Sequence, residues 1–159
     1  MKNTIIEDYL DNVNENNICN FFTSNSIQWF NSSIDINSNE KTFYFQHKIY
    51  ENFAPCSDYF KRIINLVLKI NPKSIIKSTL YFFPYQENTS NSFEFKSNLN
   101  FPTNIAIYNL NDNNGHTIIN NEKIENKKNR IILSELTDSY SETTCTDKKG
   151  KVNLVIYYI

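Results

Sequence analysis

Glycine and arginine are nearly missing from this chain of 159 residues: each occurs twice. A glycine-rich phosphate cradle is therefore excluded, since GxGxxG and P-loop patterns each need more glycine than the chain holds. Cysteine is sparse and odd in number (Cys19, Cys56, Cys145), with no CxxC pair, so neither a disulfide framework nor a thiolate metal knuckle is expected. Only two histidines occur, His47 and His116, and no HExxH or GxSxG motif is present. No spacing supports a Ser/His/Asp triad. Net charge is also lacking: sixteen basic against seventeen acidic residues give -1. That balance removes the usual electrostatic reason for a nucleic-acid or anionic-membrane partner. No apolar run approaches the ~20 residues of a membrane helix. Glu7 and Asp8 interrupt the first apolar stretch, which does not read as a signal peptide. The expectation is a soluble, cytoplasmic protein that is not secreted.

What is abundant is asparagine, 27 residues, together with lysine and isoleucine. All three have AT-rich codons, which points to an AT-rich viral or bacterial genome rather than to a functional tract. Aromatic residues reach 14%, ample for a packed interior, and the length suits one domain over 1–159. Residues 1–72 read as a helix-containing support and 73–159 as a β core.

Ile18, Phe21 and Phe22 at helical spacing predict a short helix over roughly 14–24. Ile27–Phe30 and Thr42–Phe45 read as short strands. Tyr59, Phe60, Ile63, Ile64, Val67 and Leu68 predict one broad apolar helix face, with Ser57 as N-cap and Asn71-Pro72 as stop. Beyond Pro72, segments near 74–83, 91–96, 103–110, 116–120, 129–134 and 151–158 read as strands. Asn111-Asp112-Asn113-Asn114-Gly115 reads as a hairpin turn. Many short strands after a helix suggest a mainly β sandwich, jelly roll or barrel with helices on its outside. His47 is expected to be a hydrogen-bonded structural residue, and His116 a solvated turn residue.

The order of segments resembles the small phage and viral 2-oxoglutarate/iron(II)-dependent oxygenases, relatives of the prolyl 4-hydroxylase catalytic domain. The likeness is carried by Ile6-Glu7-Asp8-Tyr9-Leu10, Gln28-Trp29-Phe30, Phe45-Gln46-His47 with Tyr50, the helix from Ser57, and Lys77. It continues with Thr103–Leu110, Asn111-Asp112, Gly115-x-Thr117, Lys127-Lys128-Asn129-Arg130 and the closing strand Lys151–Tyr158. The resemblance implies a double-stranded β-helix of jelly-roll or cupin-like type. It also implies an iron(II) site built from His-x-Asp and a later His, with two ligands one residue apart so that both point to one face of a strand.

Counting from the matched motifs places those ligands at Phe93, Phe95 and Tyr140, none of which suits ferrous iron. A shift by one residue supplies Glu94 but no histidine. The position matching the family's 2-oxoglutarate anchor is Lys151, which also sits in the basic run Lys148-Lys149-Gly150-Lys151 and so reads equally as a solvated lysine. The expectation is thus a degenerate, catalytically inactive dioxygenase-like protein with no bound cofactor. Its retained role would be binding or structural, with an unknown protein or small-molecule partner. Two alternatives remain: an active iron(II)/2-oxoglutarate hydroxylase using displaced ligands, and an unrelated jelly-roll virion or ligand-binding protein. A local basic patch at Lys127, Lys128 and Arg130 is also compatible with the sequence.

Overall fold

A computed structural model describes residues 3–33, 43–88, 92–97, 99–136 and 138–159. The elements are β1 (Thr4–Ile6), α1 (Asn12–Phe22), β2 (Phe30–Ser33), β3 (Phe43–Glu51), β4 (Ala54–Pro55), α2 (Phe60–Ile70), β5 (Ile75–Pro84), β6 (Ser92–Lys96), β7 (Thr103–Asn109), β8 (His116–Ile119), β9 (Glu122–Glu125), β10 (Ile131–Leu136), β11 (Ser139–Thr143) and β12 (Gly150–Tyr158). They form two antiparallel sheets. The larger runs β1-β10-β7-β12-β5-β3-β2, with β4 on β3, and the smaller runs β6-β11-β8-β9.

From β5 onward the chain alternates between the sheets, and only β8 and β9 are successive strands of one sheet. This path is the double-stranded β-helix. It also corrects the expected hairpin at Asn111–Gly115: β7 and β8 belong to different sheets, and no residue of that segment has positive φ. The tight hairpin turn is Asn120-Asn121, with φ of 50° and 62°, joining β8 to β9. Gly115 serves close approach instead. A Cβ there would lie 2.7 Å from the Thr144 carbonyl oxygen and 3.0 Å from Lys151 Cδ.

The large sheet is covered on both faces, which explains the apolar run 154–158 in β12. One face packs on the helices through Leu80, Tyr108, Leu154 and Ile156 against Ile18, Phe22, Ile63 and Leu66. The other meets the small sheet through Tyr81, Phe83, Ile105, Ile107, Val155 and Tyr157. The N-terminal support is more than a helical cover: β1 pairs with β10, and β3 pairs with β5, extending the large sheet at both ends.

Several local expectations shift. Asp11 caps α1, accepting from the N–H groups of Val13 and Asn14, so the helix begins before residue 14. The strand expected at Ile27–Phe30 begins only at Phe30; Thr42 lies outside the described residues. Ser57 does not cap α2 directly: its Oγ accepts the Tyr59 N–H at 3.2 Å, one turn ahead of the helix. Asn71, left-handed at φ 56°, ends α2 as expected before Pro72. The buried stripe of α2 is Ile63 and Leu66, whereas Ile64 and Leu68 face solvent. Strands β1, β4, β9 and β11 were not foreseen.

Asn129 ties the N-terminal segment to the core. Its Oδ1 accepts from the Leu10 N–H and the Tyr108 hydroxyl, each at 2.8 Å, and its Nδ2 donates to the Leu10 carbonyl at 2.9 Å. The backbone there is left-handed, φ 61°. Nearby, Glu7 pairs with Lys127 and Arg130, and Glu15 with Lys128. The basic run is thus neutralised by the N-terminal segment rather than left as a patch.

Two outcomes follow. Asn129→Ala strands buried donors and acceptors and should cost about 2–4 kcal/mol in urea denaturation, from several lost partners at 1–3 each. Lys127 and Arg130 hold the Glu7 carboxyl below its ordinary 4.5. Its contribution is therefore present above pH 4.5 and lost as pH falls through the lower folded value. The urea midpoint of Glu7→Gln should lie slightly below wild type at pH 7 and converge with it near pH 3.

Candidate functional site

The interior between the sheets is where the resemblance expects chemistry. Strand alternation decides what enters it. On β6, Phe93 is buried and Phe95 half-buried, while Ser92, Glu94 and Lys96 are exposed. On β11, Tyr140 and Glu142 point inward. On β12, Lys151 follows the same inward parity as Val155 and Tyr157.

The inward rings form one cluster. Phe95 stacks on Tyr140 at 5.1 Å and 17°, and lies 4.9 Å from Tyr81. Phe93 contacts Phe83 and Tyr44, each at 5.4 Å between centroids. Such pairs add about 0.5–1.5 kcal/mol each beyond burial. Tyr140 is 1% exposed, and burial pushes its phenol far above its ordinary value, so it stays protonated.

Lys151 is not a solvated lysine: it is fully buried. Its Nζ donates to Glu142 Oε2 and to the His116 carbonyl, both at 2.6 Å. Glu142, equally buried, also accepts from the Thr117 hydroxyl at 2.9 and 3.1 Å to its two oxygens. Burial pushes the Glu142 carboxyl up and the Lys151 ammonium down, with their mutual attraction opposing both shifts. Asn153 is near enough to Glu142 to favour its charge, yet its amide, like that of Asn109 opposite it in register, has no partner at hydrogen-bond geometry.

The histidines lie elsewhere. His47 Nδ1 is 2.7 Å from the Gln28 carbonyl, which can only accept, so Nδ1 carries the proton. Nε2 then accepts from the Ser57 hydroxyl at 2.8 Å. The ring lies beside Tyr59 at 4.5 Å, and its cross-strand partner Leu80 belongs to the helix-side core. His47 is the structural residue expected. His116 opens β8 rather than sitting in a turn. Thr117 and Ile119 take the inward positions, so by alternation His116 points out.

The donor set does not fit an iron(II) ion. The three expected ligand positions carry two phenyl rings and a protonated phenol, and the adjacent carboxylate is committed to Lys151. Among the described residues, no three His, Cys, Asp or Glu side chains gather closely enough to hold a metal. Sequence reading singled out Lys151 but missed its partner. The signal was available: Glu142 lies two residues from Tyr140 and so shares its face.

No family model matches this chain, and no curated protein matches it in sequence. Solved structures do resemble it. A Trichoplax adhaerens prolyl hydroxylase, in complex with a hypoxia inducible factor oxygen degradation domain peptide, aligns with a TM-score of 0.66 at 12% identity, covering 98% of this chain and 83% of that one. A Pseudomonas putida prolyl-4-hydroxylase gives 0.63 at 10%, covering 98% and 91%. The viral collagen prolyl hydroxylase of Paramecium Bursaria Chlorella virus-1 gives 0.60 at 8%, covering 99% and 89%. The fold of this chain is that of the 2-oxoglutarate/iron(II) oxygenases.

Breaking the buried pair from one side should be costly. Glu142→Leu or Lys151→Met alone is expected to destabilise by about 3–5 kcal/mol, because each leaves a buried charge unpaired. The double variant Glu142→Leu/Lys151→Met should recover most of that loss or exceed wild type. Guanidinium denaturation of the full cycle measures it.

Proposed function

We propose that this chain is a degenerate 2-oxoglutarate/iron(II) dioxygenase-like protein, catalytically inactive and retained in the cytoplasm as a binding or structural module. The observation that carries this reading is the stack of Phe95 on Tyr140 inside the barrel, at positions where the resemblance expects iron ligands. Rings packed there occupy the volume a metal and cosubstrate would need. Each buried ring contributes about 1.5–3 kcal/mol by leaving water, so the fold needs no metal to hold its centre.

Lys151 supports the same reading. Its ammonium holds a carboxylate, but the carboxylate is the protein's own Glu142. A cosubstrate entering would have to displace that partner and leave a glutamate buried without its counter-charge. The active alternative needs a histidine in the barrel, and neither His47 nor His116 faces it. Among the described residues, no helix is long and apolar enough to cross a membrane.

An anaerobic titration with iron(II) and 2-oxoglutarate tests the proposal. The expected outcome is no metal-to-ligand charge-transfer absorbance and no rise in melting temperature. A saturable band accompanied by a thermal shift would overturn it.

A further inference from the structure

On the helix side of the large sheet, where α1 ends, lies a half-open cleft of about 510 Å³. That volume is typical of small-molecule sites. The cleft is on the opposite face from the ring cluster, so its use does not depend on the state of the barrel interior.

Its floor is aromatic. Trp29 lies 5.5 Å from Phe82, and Phe45 lies 6.1 Å from the same ring, both tilted by 41°. All three rings are only half-buried, so each leaves part of its surface open to a guest. Lys148 and Lys149 stand at the rim, both exposed. Among the described residues, neither has a carboxylate within 4.0 Å. Their acidic neighbour in sequence, Asp147, is turned to the Asn114 N–H at 3.0 Å.

The lysine turn is fixed in place. The Lys148 carbonyl accepts from Cys145 Sγ, the Lys149 carbonyl from the Tyr85 N–H at 3.0 Å, and the Gly150 carbonyl from Asn111 Nδ2 at 2.9 Å. A Cβ on Gly150 would lie 2.5 Å from two carbons of the Phe82 ring. The turn therefore lies flush against the aromatic floor, and this is what one of the chain's two glycines accomplishes. Three successive anchored carbonyls fix the backbone from which two cations project beside a stacking surface, so a ligand has only their side chains to order.

Such a site matches a flat ring that carries an anionic group. We propose that the cleft binds a nucleoside monophosphate, its base stacked on Trp29 and Phe82 and its phosphate held by Lys148 and Lys149. A neutral sugar would stack on the rings but make no use of the cations. Inorganic phosphate would meet the lysines without the floor.

Trp29 is the chain's single tryptophan, so its indole N–H gives one resonance that reports on the cleft. In a nitrogen–proton correlation spectrum, AMP should move that resonance saturably. Adenosine should bind at least about tenfold more weakly, and inorganic phosphate alone should leave the resonance in place. The exposed pair Lys148→Glu/Lys149→Glu should abolish the preference for AMP over adenosine while the rest of the spectrum is retained. The proposal is overturned if AMP at about 10 mM leaves the indole unmoved, or if AMP and adenosine bind alike. It is equally overturned if the double variant binds AMP as wild type does, or if maltotriose moves the resonance where AMP does not.

Discussion

A lysine and a glutamate buried together, with no exposure for either, constrain everything around them. Lys151 cannot be charged inside the barrel without acceptors, and it finds them on β11 and at the start of β8. Glu142 cannot be charged without donors, and it finds them on β12 and β8. One ion pair thereby fixes a strand of the large sheet against two of the small sheet. Gly115 leaves room for the lysine stem to reach. Such a pair is a weak source of net stability, since desolvation of both ions offsets their attraction. What it supplies is register: a slip of one residue in β11 or β12 would turn one ion to the opposite face of its sheet and strand the other.

Away from this polar end the interior is filled with rings. The two ends use different physics to close the same space. The aromatic end gains from burial and dispersion without regard to exact orientation. The polar end is directional, and its satisfied atoms sit beside amides, those of Asn109 and Asn153, that have no partner at hydrogen-bond geometry. The aromatic end carries one such orphan too, since the buried Tyr140 hydroxyl has no partner at hydrogen-bond geometry.

Much of this was legible in the sequence. The strands of the β core could be read because β-branched and aromatic residues cluster between polar breaks. Phe93 and Phe95 share a face for the same reason that a His-x-Asp pair would. The failures have physical causes. The Asn111–Gly115 segment has the composition of a hairpin but crosses between sheets, a distinction that only tertiary pairing makes. Strand β11 is Ser-Tyr-Ser-Glu-Thr, and its inward glutamate disguises it as surface. Lys151 looks solvated because it ends a basic run. The exposed Ile64 and Leu68 show helical periodicity overstating the width of a buried face. Asn129 could not be singled out among so many asparagines, since nothing local marks the one that meets Leu10 and Tyr108.

The scarcity of glycine has a consequence in the unfolded chain. Among the described residues, the positive-φ positions are taken by five asparagines, Asp8 and Phe53, and by neither glycine. Asparagine reaches the left-handed region at modest cost because its short amide can bond locally. A coil that turns on asparagine samples fewer backbone states before folding than one that turns on glycine, and so surrenders less entropy when it folds. The native state bears the opposite cost, since a residue with a Cβ is held at positive φ where glycine would sit freely. These turns therefore exchange a small strain in the folded chain for a narrower denatured ensemble, a balance that no native contact displays.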